Sequence, residues 1–248
     1  MRGVGKGLCL AASLLLACLA GPAMAQLAAP CPVPDELKPD PAPLPAIKAK
    51  LAAGDEVRIM ALGGGGTLGR AVPAGQAYPD RLAAWLQYGL PAARWQVINK
   101  GVVGDSTAAM VKRIHSEVLD LKPSLVLWET GTHEAAIGSN VEAFGEAVQS
   151  GIEALRAAKI DLILIDMQYS PRTSSVINFD PYLNALREVA EQNDVGVYDR
   201  YQLMHAWTDA GLFDFHTRDA AKRAEATRRI YDCVAAGLAQ MILEDLKQ

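Results

Sequence analysis

The chain has no excess of basic residues, and this excludes two large classes of partner. Its 24 lysines and arginines face 28 acidic residues, with four histidines besides. Nucleic acid and anionic membrane surfaces both require a basic face. The sequence also has no internal repeat. Long apolar runs are missing too. The longest, Leu8 to Leu19, is too short for a comfortable membrane span. Cysteine is scarce, at four residues, and two of these lie within the first 18 positions.

The N-terminus reads as a secretory signal over residues 1–25. Arg2 and Lys6 give it a basic start, the apolar run follows, and Ala23-Met24-Ala25 is a small-x-small cleavage site. A retained anchor is one alternative. Another is lipidation of Cys18, since Leu15-Leu16-Ala17-Cys18 loosely matches a lipobox. Cleavage leaves 22 basic against 28 acidic side chains, a net charge of −6. The protein is then expected to be periplasmic or secreted, without an integral membrane span. Cys31 and Cys233 remain after cleavage. In an oxidising compartment they suggest one disulfide, with two separate thiols as the alternative.

Residues 26–46 are rich in proline and alanine and read as an extended tail on the surface. The remaining residues, 47–248, read as one domain. Five short apolar runs are predicted strands: Val57–Leu62, Trp95–Asn99, Leu125–Trp128, Leu162–Ile165 and Val195–Tyr198. Helical patterns lie between them, over Tyr78–Leu90, Ser106–Leu121, Val141–Ala158 and Tyr182–Gln192. Two more follow, near Tyr201–Trp207 and from Arg218 to Leu246. The rhythm predicts an α/β fold, a three-layer α/β/α sandwich with a flavodoxin-like parallel sheet of about five strands. Such sheets bind ligands beyond the carboxyl ends of their strands.

Those ends are polar and rich in glycine. The first runs into Gly63-Gly64-Gly65-Gly66-Thr67, the second into Asn99-Lys-Gly-Val-Val-Gly104-Asp105-Ser106, and the third into Glu129-Thr-Gly-Thr-His133-Glu134. The fourth leads to Gln168-Tyr-Ser-Pro-Arg172, and beyond the fifth come Asp199-Arg200 and Asp214-Phe215-His216. Bare backbone N–H groups at a strand–glycine–helix turn can hold an anion or a polarised carbonyl oxygen.

In this order and spacing the blocks resemble the SGNH hydrolases, also called the GDSL esterases and lipases, and in particular an exported bacterial subgroup. Cys31-Pro-Val-Pro, Tyr78-Pro-Asp-Arg-Leu82, Asn99 to Asp105, Trp128-Glu-Thr-Gly-Thr132, Gln168 to Arg172, Arg200-Tyr-Gln-Leu-Met204 with Trp207, and Tyr231-Asp-Cys233 carry the likeness. The resemblance implies a serine nucleophile in the first block, oxyanion donors in the first three, and an Asp-x-x-His near the C-terminus. Serine chemistry needs that set, because a hydroxyl attacks only when an oriented base takes its proton and the oxyanion meets fixed donors.

Carried over residue by residue, the serine position is Gly65. Gly104 is the block-two glycine, and His133 replaces the asparagine. His216 takes the place of the base. Phe213 stands three residues before it, where the aspartate belongs, and Asp214 stands only two before. The resemblance therefore implies an exported family member that has lost its nucleophile and binds an acyl- or carbohydrate-type ligand. Gly65, Gly104, His133, Thr67 and Asp105 are the expected ligand contacts. His216 and Asp214 are the residual catalytic pair.

The alternative is an active esterase or deacetylase in which His216 acts as base on water. Thr67 and Ser106 are weighed as substitute nucleophiles, with helix capping the commoner role. His133, Glu134, Asp214 and His216 lack metal-ligand spacing among themselves, so no metal and no cofactor is expected. Gly64-x-Gly66-x-x-Gly69 matches a dinucleotide fingerprint, but Asn99-Lys100 offers no acid for a ribose hydroxyl.

Overall fold

The computed structural model describes Met1 and residues 31–39, 42–215 and 217–247. Residues 2–25 of the signal segment, Cys18 among them, and His216 lie outside the described residues. Five parallel strands form one sheet: β1 (Glu56–Gly63), β2 (Arg94–Gly101), β3 (Leu125–Glu129), β4 (Asp161–Ile165) and β5 (Gly196–Tyr198). Their order is β2-β1-β3-β4-β5. All five predicted strands are present, in a flavodoxin-like arrangement whose strand order reverses between β1 and β3.

The strands alternate their side chains between two apolar layers, as a period of two requires. Val57, Ile59, Ala61, Leu125, Leu127, Ile163 and Ile165 face one layer. Met60, Leu62, Val126, Trp128, Leu162 and Leu164 face the other. A sheet covered on both sides therefore reads as short continuous apolar runs. The first layer is closed by α3 (Tyr78–Gly89), α10 (Arg200–Asp209) and α11 (Ala220–Asp245), through Leu82, Leu86, Leu203, Trp207, Val234 and Leu238. The second is closed by α4 (Thr107–Arg113), α7 (Val141–Ala157) and α9 (Asp180–Gln192), through Met110, Val148, Ile152, Leu183 and Leu186. Trp128 lies against Gly151 of α7, where a Cβ would stand 2.3 Å from the indole.

Other elements are too short for a periodic signal: α2 (Gly65–Leu68), α5 (Leu119–Leu121), α6 (Thr132–Ile137) and α8 (Pro171–Ser174). The predicted helix over 106–121 is not one α-helix. A π-helical turn, Ile114–Val118, separates α4 from α5. Ser106 caps α4, its hydroxyl accepting from the Ala109 N–H at 3.2 Å.

The described part of the proline-rich stretch, 31–39 and 42–46, is not a surface tail throughout. Cys31, Ala42 and Leu44 are buried in the first layer, and α1 (Pro45–Ala52) begins at its last proline. Asp161 fastens that helix by accepting the Ala46 and Ile47 N–H groups at 3.1 and 2.9 Å. Burial pushes the Asp161 carboxyl up to about 6 against these bonds. The Trp207 indole donates to the Pro32 carbonyl at 2.7 Å. Cys31 and Cys233 are joined by a disulfide, with Cα atoms 5.3 Å apart. Among the described residues, no helix is long and apolar enough to cross a membrane.

Candidate functional site

The carboxyl ends of β1 and β3 lie side by side at the reversal of strand order, and the glycine run sits there. β1 ends at Gly63, whose carbonyl accepts the Val102 N–H at 2.8 Å. The chain then turns into α2, which ends at Gly69 in the left-handed region, φ 83°. Asn99 pins this turn by donating its amide to the Thr67 carbonyl at 2.8 Å. Gly101 admits α2 against β2: a Cβ there would lie 2.2 Å from the Leu68 nitrogen.

A buried charged network supports the turn from below. The Thr67 hydroxyl donates to the Glu129 carboxylate and lies 3.1 Å from the Tyr78 hydroxyl. Arg200 donates from Nη2 to Glu129 Oε1 at 3.0 Å and to the Asp166 carbonyl at 2.8 Å. Glu129 and Arg200 are each 3% exposed. Burial opposes the Arg200 charge, but Glu129 and Asp166 outweigh it and hold the guanidinium above its ordinary value. Burial, aided by the Glu129 charge, raises Tyr78 and keeps its phenol protonated. Asp166 accepts the Tyr201 N–H at 2.8 Å and has Arg187 at 3.6 Å. Burial still pushes it up to about 7.

Two cavities meet above the turn, and Gly65, Gly66 and Gln168 line both. The smaller, about 280 Å³, is also walled by Gly64, Gly104, Asp105, Thr130, Thr132, His133, Thr173 and Phe179. The larger, about 570 Å³, runs between α2, α10 and α11 past Arg70, Arg200, Met204, Phe215, Ile230, Tyr231 and Val234.

Gly65, Gly104, His133 and Asp105 thus come together around one space, although 68 positions separate the first from the third. The loop carrying Gly104, at φ 75°, is fixed from α4. Arg113 donates to Asp105 and to the Lys100 carbonyl, both at 2.7 Å. Asp105 therefore already has a charged partner. Glu134 accepts the Thr107 N–H at 2.6 Å and so braces the start of α4.

Thr67 does not reach the cavities. It is fully buried, and its hydroxyl is held by Glu129 and Tyr78. The expected ligand contact is a support of the turn instead. Phe213, at the aspartate position of the resemblance, packs its ring 6.2 Å from that of Trp207 in the core. Asp214 is exposed, and Phe215 lines the larger cavity.

Sequence reasoning did not find Glu129 and Arg200 as a pair. One signal existed: Glu129 follows four apolar strand residues without a turn residue between, so a buried carboxylate needing a partner was readable there. Its partner, 71 positions away, was not.

No curated protein sequence matches the chain significantly. Solved structures do match in fold. A lipase/acylhydrolase from Enterococcus faecalis superimposes with TM-score 0.59 at 22% identity, covering 76% of this chain and 96% of that one. The esterase EstA from Pseudoalteromonas sp. gives 0.58 at 15% identity, covering 78% and 100%. AlinE4, a SGNH-hydrolase family esterase, gives 0.54 at 25% identity, covering 74% and 97%. The sequence pattern of the non-GDSL lipase-like family matches residues 30–248. Fold, strand-end blocks and family pattern agree, and the chain belongs to the non-GDSL lipase-like family within the SGNH/GDSL hydrolases.

Proposed function

We propose that this chain is an exported, catalytically degraded member of its family. It holds an acyl- or carbohydrate-type ligand over the Gly65 turn and forms no serine acyl-enzyme there. One observation carries the reading. Gly65 stands where two cavities join, and a Cβ built on it would have Val103 Cγ2, at 3.8 Å, as its nearest neighbour. The space for an attacking side chain is open, and glycine fills none of it. Loss of a serine nucleophile leaves only the residual rate from binding and oxyanion donors. The Gly65 and Gly104 amides and His133 border the same cavity and supply donors for a carbonyl oxygen. Export rests on the N-terminal signal pattern and accords with the Cys31–Cys233 disulfide.

The test is hydrolysis of p-nitrophenyl acetate and butanoate by the purified protein beside Gly65→Ser. The natural protein is expected to run at the buffer rate and to show no acyl adduct by intact-mass measurement. Turnover by the natural sequence, with an acyl group trapped on any side chain, overturns the reading.

A specific observation favours a second reading. Phe215 lines the larger cavity together with Gly65, so the loop that leads to His216 runs along its wall. An active hydrolase using His216 as base on water would lose its turnover in His216→Ala. It would also follow an imidazole titration in its pH profile.

A further inference from the structure

The two cavities that meet at Gly65 are lined by opposite charges. Among the described residues, Asp105 and Glu129 line the smaller one, with no lysine or arginine. Arg70 and Arg200 line the larger one, with no carboxylate. That second lining runs against composition, because the chain has more acidic than basic residues. We infer that the ligand carries an acid group and that the larger cavity takes it. The ligand is a sugar acid, a saccharide of the uronic-acid class, with its carboxylate on Arg70. This rests on the reading that a carbohydrate-type ligand lies over the Gly65 turn.

Arg200 is not the free charge, since Glu129 accepts from its Nη2 at 3.0 Å. Arg70 is exposed and has no ion pair among the described residues. Its backbone is held in place. Gly69 ends α2 in the left-handed region, and the Arg70 N–H returns to the Gly65 carbonyl at 3.1 Å. The guanidinium stem therefore starts from a fixed point one turn beyond Gly65. Tyr231 lines the same cavity from α11. It is 9% exposed, and no hydrogen bond among the described residues occupies its hydroxyl. Burial, aided by the Glu129 charge, raises Tyr231 above its ordinary value and keeps the phenol a donor. A cation and a free donor in a space without acidic side chains suit a carboxylate. Arg223, one helical turn from Thr227 on α11, adds a second exposed cation beside the cavity.

The remaining wall suits a sugar ring better than an alkyl chain. Gln168, Ser170 and Thr227 interrupt the apolar surface of Met204, Phe215 and Val234. Polar groups set among aromatic and aliphatic ones match a ring with hydroxyls on its edge and C–H bonds on its faces. A volume of about 570 Å³ holds such a ring with room to spare.

The probes are methyl glucosiduronate and methyl galactosiduronate, beside the neutral methyl glucoside and methyl galactoside. Each pair differs only by a carboxylate in place of a hydroxymethyl group. Hexanoate, acetate and sulfate supply the acid without the sugar. Dissociation constants are read by ligand-observed NMR or calorimetry at low salt. At least one uronide is expected to bind about tenfold more tightly than its neutral partner. Sodium chloride at high concentration should erode that preference. Arg70→Gln, at an exposed position, should abolish it, and Tyr231→Phe should reduce it about threefold. Equal affinity for the acid and neutral sugars overturns the inference, as does an acid preference that survives Arg70→Gln. Hexanoate, acetate or sulfate binding as tightly as the uronide overturns the sugar assignment. Sugar binding that Gly65→Val weakens, but that ignores the carboxylate, sinks this inference alone. Sugar binding indifferent to Gly65→Val sinks the underlying reading of the turn as well.

Discussion

The four glycines of the first block are not equivalent, and their substitution should split by position. A Cβ at Gly63 would lie 2.2 Å from Thr67 Oγ1 and 2.8 Å from Glu129 Cβ. A Cβ at Gly66 would lie 2.8 Å from Glu129 Oε1. That carboxylate cannot step aside cheaply, because Thr67 and Arg200 hold its two oxygens. Overpacking of this kind costs about 1–3 kcal/mol, and loosening the buried ion pair adds to it.

Gly65 is different. Its nearest prospective neighbour is at ordinary contact distance, and it is not among the glycines with positive φ. Replacing such a glycine removes freedom from the unfolded chain and is worth about 0.4–1 kcal/mol in stability. Gly65→Ala should therefore melt about 1–3 °C above the natural protein, and Gly66→Ala roughly 3–10 °C below it. Thermal unfolding by circular dichroism at fixed pH reads both. In a Glu129→Ala background the Gly66→Ala penalty should shrink, since the obstructing carboxylate is gone. Equal melting points for the two variants, or a penalty that survives in that background, would refute the argument.

Three further outcomes follow from the buried charges and the disulfide. Arg200→Met strands Glu129 in the core and is expected to cost about 3–5 kcal/mol, while Arg200→Met with Glu129→Leu should recover a good part of it in urea unfolding. Asp166 has a folded-state value near 7, above the ordinary carboxylate value of 3.8 that the unfolded chain adopts. Its contribution to stability is therefore complete below about pH 4 and is lost as pH rises to about 7. Asp166→Asn should flatten that part of the stability–pH curve, and a natural protein that gains stability across the window through this residue contradicts the sign. Opening the 202-residue Cys31–Cys233 loop by Cys31→Ser is expected to cost up to about 5 kcal/mol in the chain-entropy limit. An unchanged melting point on reduction would mean that the buried Leu44 and Ile47 hold the N-terminal segment unaided.

Much of this fold was legible because a doubly covered sheet writes itself as apolar runs. Val57–Leu62 and Leu125–Trp128 needed no partner to be recognised. α1 was hidden because Pro45 closes a proline-rich stretch, although proline in the first turn is also a helix start. α6 and α8 span six and four residues, too few to show a helical period. The sequence blocks named Gly65, Gly104, Asp105 and His133, and these four line one cavity. Thr67 was misread because sequence position places a residue on a turn but does not say which way its side chain points. Glu129 and Arg200 escaped because a buried ion pair is a relation between distant positions, and neither residue alone announces it.

The disulfide also sets an order of events during synthesis. Cys31 emerges early, but its partner lies in α11, more than two hundred positions later. At about 5–20 residues per second, that gap is on the order of ten to forty seconds. Throughout that interval the early thiol has no correct mate. The covalent ring can close only once residue 233 has been made, so every residue from 32 to 232 is already synthesised when the bond forms.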